Sequence, residues 1–184
     1  MNSSSAPVKK KLQTYRLSLD RIDSAFIFLL EESLLVFLAE TNSEKFLEWK
    51  PDANVHPAIA TLIETLLEKI PSLFSKEAEN QPKLSSFELE KAQNLFQLLG
   101  ELLFFRFKII TQIGVVKALE KLPIRDLERW QSLLKHRLTL AEKQNIPSKP
   151  FLEWMDILHE SSCTWQEIIQ KLIHEGKDFQ SFQK

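Results

Sequence analysis

Arg16-Leu17-Ser18-Leu19-Asp20-Arg21-Ile22-Asp23-Ser24-Ala25-Phe26-Ile27-Phe28-Leu29-Leu30-Glu31-Glu32 is the stretch on which the fold is decided. Leu12, Leu19, Ile22, Phe26, Leu29 and Leu30 recur at three- and four-residue spacing, the mark of one apolar helical face. Beyond Phe26 the pattern turns apolar nearly all round, so the second half of this helix belongs near the centre of a bundle. The spacing predicts a helix from about Val8 to Glu40, broken by Thr41-Asn42-Ser43.

The rest of the chain agrees. Its 184 residues suit one domain with a substantial core, and an apolar fraction of 43% is ordinary for a folded protein. There are only three glycines, and Leu, Glu, Lys, Gln and Phe prevail over the β-branched runs and glycine turns that sheets need. The expectation is a single all-α bundle of five to six helices with long first and third members. Residues 1–7 read as a flexible tail, 8–176 as one helical domain and 177–184 as a frayed end.

A net charge of −1 supplies no global field toward nucleic acid or a membrane. One cysteine, Cys163, excludes an internal disulfide framework and a Cys-based zinc site. The N-terminus has no apolar core to make a signal peptide. Leu95 to Leu119 is long enough to span a bilayer but carries Glu101, Arg106 and Lys108. Each central charge would cost roughly 2.5–3.5 kcal/mol on insertion. The reading is a soluble, cytoplasmic protein, a secreted effector being the other option.

Local signals mark the remaining helices. Pro57 suits the first turn of a second helix, which Pro71 should end. Ser75 to Pro82 is the expected linker, and Ser85-x-x-Glu88 is a capping box for a third helix running past Gly114, a kink or close-packing point, to about Leu122. Pro123 is expected to open a fourth helix with the stripe Leu127, Trp130, Leu134, Leu138 and Ala141, ended by Asn145-Ile146-Pro147. A short helix from Lys149 to His159 and a last one capped by Thr164-x-x-Glu167, stopping at Gly176, complete the list. Phe-Leu-Glu-Trp occurs twice, at Phe46–Trp49 and Phe151–Trp154; core burial of both tryptophans is the expectation, a partner hot spot the alternative.

Arg16 to Glu32 resembles the opening helix of the all-helical chorismate mutases, whose pattern runs Arg-x-x-(Leu/Ile)-Asp-x-(Ile/Leu)-Asp and then apolar-apolar-x-Leu-Leu-x-Glu-Arg. Ser33 stands where the pattern ends in arginine. The resemblance implies that Arg16 meets a substrate carboxylate and that two chains share the first helix as a homodimer. It also implies an isomerase of aromatic amino acid biosynthesis, converting chorismate to prephenate. That rearrangement happens within one molecule and needs no cofactor, metal or nucleophile. It needs a flexible dianion held in its reactive shape and a Lys, Arg or Gln on the breaking ether oxygen. Arginines suit the carboxylates because a guanidinium is permanently charged and two-pronged.

The resemblance extends loosely to about Leu122. Leu95-Phe96-Gln97-Leu98-Leu99 is similar to the start of the family's last helix, and on that anchor Leu103 and Phe107 take the ligand-facing positions. A one-residue shift puts Lys108 at the second of them. Gln97 and Glu101 lie on a polar stripe with Gln93, Lys108 and Gln112, although a stripe is usually a solvated face. At the family's lysine position stands Glu44, with Lys45 beside it, and Asn54 to Ile59 lacks the family's substrate-binding cluster. The substrate-binding candidates are Arg16, Gln97, Glu101 and Lys45. Catalysis would require Arg106, Lys108 or residues of the C-terminal half, 123–176, to supply the missing cations. Phe104, Phe105 and Phe107 would otherwise fill the pocket.

Other groups read more plainly. His56, His136, His159 and His174 are scattered, and His159-Glu160 with Cys163 lacks metal-site spacing, so no metal is expected. Lys117, Lys121, Arg125, Arg129, Lys135, His136 and Arg137 make the surroundings of Pro123 basic, interrupted by Glu120, Asp126 and Glu128; a solvated helix face is the expectation. Two functions therefore stand. One is a diverged chorismate-mutase-like protein binding or rearranging a small dianion. The other is a non-enzymatic helical adaptor, chaperone or bacterial effector with a protein partner. An ordered cationic pocket near Arg16 would favour the first, an exposed apolar groove the second.

Overall fold

The computed structural model describes residues 5–40, 48–74, 85–178 and 182, the backbone alone over 31–40. Five helices follow one another, α1 (Ala6–Glu40), α2 (Pro57–Leu73), α3 (Ser86–Leu119), α4 (Leu127–Lys143) and α5 (Ser148–His174), with no strand among the described residues. Lys45, Thr41-Asn42-Ser43 and the expected linker Ser75 to Pro82 lie outside those residues.

α3 is the axis. Its 34 residues extend about 50 Å at 1.5 Å per residue. It packs along α1 on one side and α5 on another, with α2 against both α3 and α5, and α4 laid over α5 and α1. Ala92, Phe96, Leu99, Leu103, Phe107, Ile110 and Ile113 carry its burial from end to end. Ile59, Ile63, Leu66, Leu67 and Ile70 form the apolar stripe of α2, and Phe26 of α1 stacks on Trp154 of α5 with centroids 5.5 Å apart. Trp49 and Trp154 are both buried, as the core reading of the repeated tetrapeptide expects.

Several boundaries follow their local chemistry. The Ser85–Glu88 capping box is closed in both directions, Glu88 N–H donating to Ser85 Oγ and Ser85 N–H to Glu88 Oε2. Pro57 lies in the first turn of α2, behind His56, whose Nδ1 accepts from Ala58 N–H. α3, α4 and α5 end alike, in Schellman turns with Lys121, Asn145 and Gly176 in the left-handed region and backbone bonds Leu122→Lys117, Ile146→Ala141 and Lys177→Leu172.

Three boundaries depart from expectation. Pro71 lies inside α2, which continues to Leu73, because a proline in the last turn forfeits one bond while Phe74, fully buried, still donates to Ile70. The fourth helix opens at Leu127, capped by Asp126, because the loop before it is held by other partners described below. The two expected C-terminal helices are one, Ser148–His174. Phe151, Trp154, Met155, Leu158, Trp165 and Ile169 keep a single buried face running through the Thr164 signal, so a capping pattern within that periodicity stops nothing. Phe182, in the expected frayed end, packs half-buried against Trp165 and His56.

The first half of α3 holds residues 48–50. Gln97 accepts from Lys50 N–H at 2.9 Å and donates back to Lys50 C=O at 2.8 Å, and Gln93 does the same for Glu48. These clamps press Trp49 onto Gly100, where an added Cβ would lie 2.2 Å from the indole Cδ1. Ala gains about 1 kcal/mol of helix propensity over Gly, but overpacking costs about 1–3 kcal/mol and the tethered indole has little room to yield. Gly100→Ala is expected to lower the urea midpoint; an unchanged or higher midpoint would show that Trp49 moves freely.

Candidate functional site

Three helices send cations to one place, and a fourth, α5, closes it. On α3, Arg106, Ile110, Ile113 and Lys117 fall at intervals of four, three and four residues, which puts them on one face. Arg129, Leu133 and Arg137 do the same on α4, and His159, Ser162, Cys163 and Gln166 on α5. Arg16, Leu19 and Asp20 close the pocket from α1, and Ile124 and Asp126 from the connection before α4. The cavity is about 90 Å³ and adjoins a wider mouth of about 670 Å³ that shares Arg16, Asp20, Lys117, Asp126, Arg129 and Leu133.

Its floor is a buried ion cluster. Asp23 of α1 accepts from Arg106 Nε at 2.8 Å through Oδ1, and its Oδ2 pairs with Arg137 Nη2. Arg106 Nη1 donates to Ser162 Oγ at 2.6 Å, and that hydroxyl donates to Leu158 C=O. Asp23, Arg106 and Arg137 are each at most 5% exposed. Asp20, part-exposed at the rim, reaches Arg137 at 3.4 Å.

Lys117 Nζ donates to Ile124 C=O at 2.7 Å and so fixes the loop that Pro123 begins. Burial, reinforced by the nearby positive Arg16, lowers its pKa to about 8. Burial and the positive Arg16 also push Arg129 below its ordinary value, and burial does the same to Arg137. Among the described residues neither Arg16 nor Arg129 has an ion-pair partner. Gln166 is buried, its amide N donates weakly to Ser162 C=O, and its Oε1 has no hydrogen-bond partner among the described residues. Gly114 faces α5 closely, and an added Cβ would touch Gln166 Cγ at 3.4 Å.

The surroundings are fixed from outside. Arg125 grips Glu160 with two bonds of 2.7 and 3.0 Å and ties the loop to α5. Trp130 stacks on His159 at 4.0 Å, and His159 Nε2 lies 3.7 Å from Cys163 Sγ. Burial holds the His159 pKa below its ordinary value and pushes the Cys163 thiol up. Among the described residues no three His, Cys, Asp or Glu side chains gather as metal ligands.

Arg16 and Arg106, both anticipated, meet here. Gln97 and Glu101 lie elsewhere, beside Trp49, Phe104 and Phe105, and the Gln97 amide is committed to Lys50. Lys108 lies over the Phe104 ring at 5.4 Å, on another face of α3. Phe107 is buried and Phe105 exposed, so these rings leave the cationic pocket open. The basic run around Pro123 is a solvated face only in part: Lys121, Arg125, Lys135 and His136 are exposed, whereas Lys117 and Arg137 turn inward and are at least 90% buried. A cation recurring on the apolar face of α3 was the available signal. The partners that make it a site are distant in sequence.

A sequence model of the family described as chorismate mutase type II matches residues 93–180. No curated protein and no solved structure matches the chain significantly. The stretch from within α3 to just beyond α5 thus matches a segment of this family, the same family as the resemblance named but over residues that extend past Leu122, where the resemblance stopped. It contains Arg106, Lys117, Arg129, Arg137, Ser162 and Gln166 and begins beyond Arg16–Glu32, the stretch that carried the resemblance.

Cys163 offers a check on how closed the interior is. Its side chain is 1% exposed and its thiol pKa is raised, so both access and thiolate fraction are low. A disulfide reagent is expected to modify the native protein far more slowly than the urea-unfolded chain; equal rates would mean that α5 opens readily.

Proposed function

We propose that the protein is a chorismate-mutase-like isomerase that holds a small dianion between α1, α3, α4 and α5 and rearranges chorismate to prephenate. The observation that carries this is the charge of the pocket. Five cations (Arg16, Arg106, Lys117, Arg129 and Arg137) face three carboxylates (Asp20, Asp23 and Asp126), which leaves two positive charges for a ligand to balance. Part-buried like charges are costly and shift one another's ionisation, as Lys117 and Arg129 display. A dianion relieves that cost and a neutral ligand does not.

In this reading the arginines take the carboxylates, and two shorter donors on facing helices, Lys117 and Gln166, take the ether oxygen. Charge on that oxygen grows only as the bond breaks, so fixed donors there lower the barrier. Binding the folded conformer supplies the remainder. Nothing in this chemistry calls for a cofactor. The condition set by the sequence, that Arg106, Lys108 or residues of the C-terminal half supply the missing cations, fits Arg106, Arg129 and Arg137. Arg16 lies in the same chain as the matched segment, so one chain walls the pocket and the expected homodimer is not needed to complete it. The cationic pocket beside Arg16 is what favours this reading over an adaptor, chaperone or effector. A role in aromatic amino acid biosynthesis and a cytoplasmic location accompany the reading; no described helix is long and apolar enough to cross a membrane.

Chorismate consumption by purified protein tests it. Wild type is expected to turn over, with kcat/KM falling about 10²–10³-fold in Arg106→Ala and in Lys117→Ala, the range for loss of one transition-state donor. Arg16→Ala should lose activity too. Absence of Arg16-dependent turnover at high enzyme concentration would sink the proposal.

The pH profile adds a separate check. Burial disfavours the charged ammonium, so the folded pKa lies below the ordinary lysine value. Lys117 is therefore charged below about pH 8 and neutral above it. kcat/KM is expected to fall as pH rises through about 8, and a profile flat to pH 10 would remove Lys117 from the site.

A further inference from the structure

We propose that Asp23 is a positioning residue of this pocket: from behind its lining, the carboxylate holds the guanidiniums of Arg106 and Arg137 in the orientation that receives the ligand's negative charge. The inference rests on the reading of the pocket as a dianion site. The two carboxylates of α1 behave differently. Asp20 stands on the pocket wall, part-exposed, with one long contact to Arg137. Asp23, one helical turn further and 4% exposed, accepts a hydrogen bond from Arg106 with one oxygen and is ion-paired to Arg137 through the other. Neither arginine is held chiefly by its own helix. Arg106 has Nε on Asp23 and Nη1 on Ser162 Oγ, so α1 and α5 together set its plane.

Two like charges brought to one spot repel, and in a buried setting water screens that repulsion poorly. A shared carboxylate between them is what allows both to stay. It also fixes them before the ligand arrives, so less ordering remains to be done on binding. A carboxylate beside an anion site has an opposite effect as well, since its own charge repels the incoming dianion. The two effects predict opposite outcomes when the charge is removed, and that makes the role testable.

The experiment is steady-state kinetics with chorismate on the full chain, for wild type, Asp23→Asn and Asp23→Glu, with thermal melts alongside. Asp23→Asn keeps the shape and loses the charge-assisted bonds; KM is expected to rise at least tenfold. Counter-charge alone would lower KM or leave it unchanged. Asp23→Glu keeps the buried charge, and with it the best prospect of folding, but displaces the carboxylate by one methylene; KM is expected to rise severalfold. An unchanged KM in Asp23→Glu, or an unchanged or lowered one in Asp23→Asn, overturns the positioning role. A nitrogen-15 spectrum of the arginine side chains gives a readout that needs no turnover. The Arg106 Nε–H signal, sheltered by Asp23, is expected to shift or broaden in Asp23→Asn, and its persistence unchanged would also overturn the role. Wild type inert toward chorismate would mean that the dianion reading itself fails. Active wild type with unaffected variants would mean that only the assignment of Asp23 fails.

Discussion

Asp23 is where three helices of this bundle are tied by charge rather than by apolar packing. Its carboxylate is shared by one guanidinium from α3 and one from α4, and Ser162 extends the cluster to α5. An ion cluster this deep is a poor source of stability, because desolvating each charge costs several kcal/mol. Its use is in geometry. Hydrogen bonds between charged groups tolerate only small departures in direction and distance, whereas leucine packing tolerates sliding. The helices that carry the pocket are therefore held in register by the same contacts that gather its positive charge.

α3 divides its work along its length. In the first half Gln93, Gln97 and Gly100 clamp residues 48–50 against the helix. In the second half the residue types change from amides to cations, and Gly114 faces α5 closely at Gln166, which lines the pocket. Between them Leu99, Leu103 and Phe107 are fully buried and keep the helix rigid through the junction. A site built on such a helix has little freedom to rearrange, which suits a reaction that asks only for a fixed shape and fixed charge.

The sequence was most reliable where a signal was complete in a few residues. The Ser85–Glu88 box, Pro57 in the first turn, and the left-handed turns at Asn145 and Gly176 depend on neighbours along the chain. Thr164-x-x-Glu167 has the same composition as a cap but falls inside an unbroken apolar period, and burial of Trp165 and Ile169 overrides it. Pro123 failed as a helix start because Lys117 holds Ile124 and Glu160, on α5, holds Arg125. Each such failure is caused by contacts outside the local signal.

All-helical architecture and the run of long helices follow from periodicity, which the chain carries in linear order. Arg16 was singled out by the family resemblance of its helix, and Arg106 as a cation that could replace those the resemblance lacks. Which cations meet was decided by tertiary structure alone. Lys117 and Arg137 look like surface residues in sequence, since Lys and Arg are exposed unless paired. Whether either is paired depends on what packs opposite: here Asp23, three helices earlier and more than a hundred residues away, draws Arg137 into the interior.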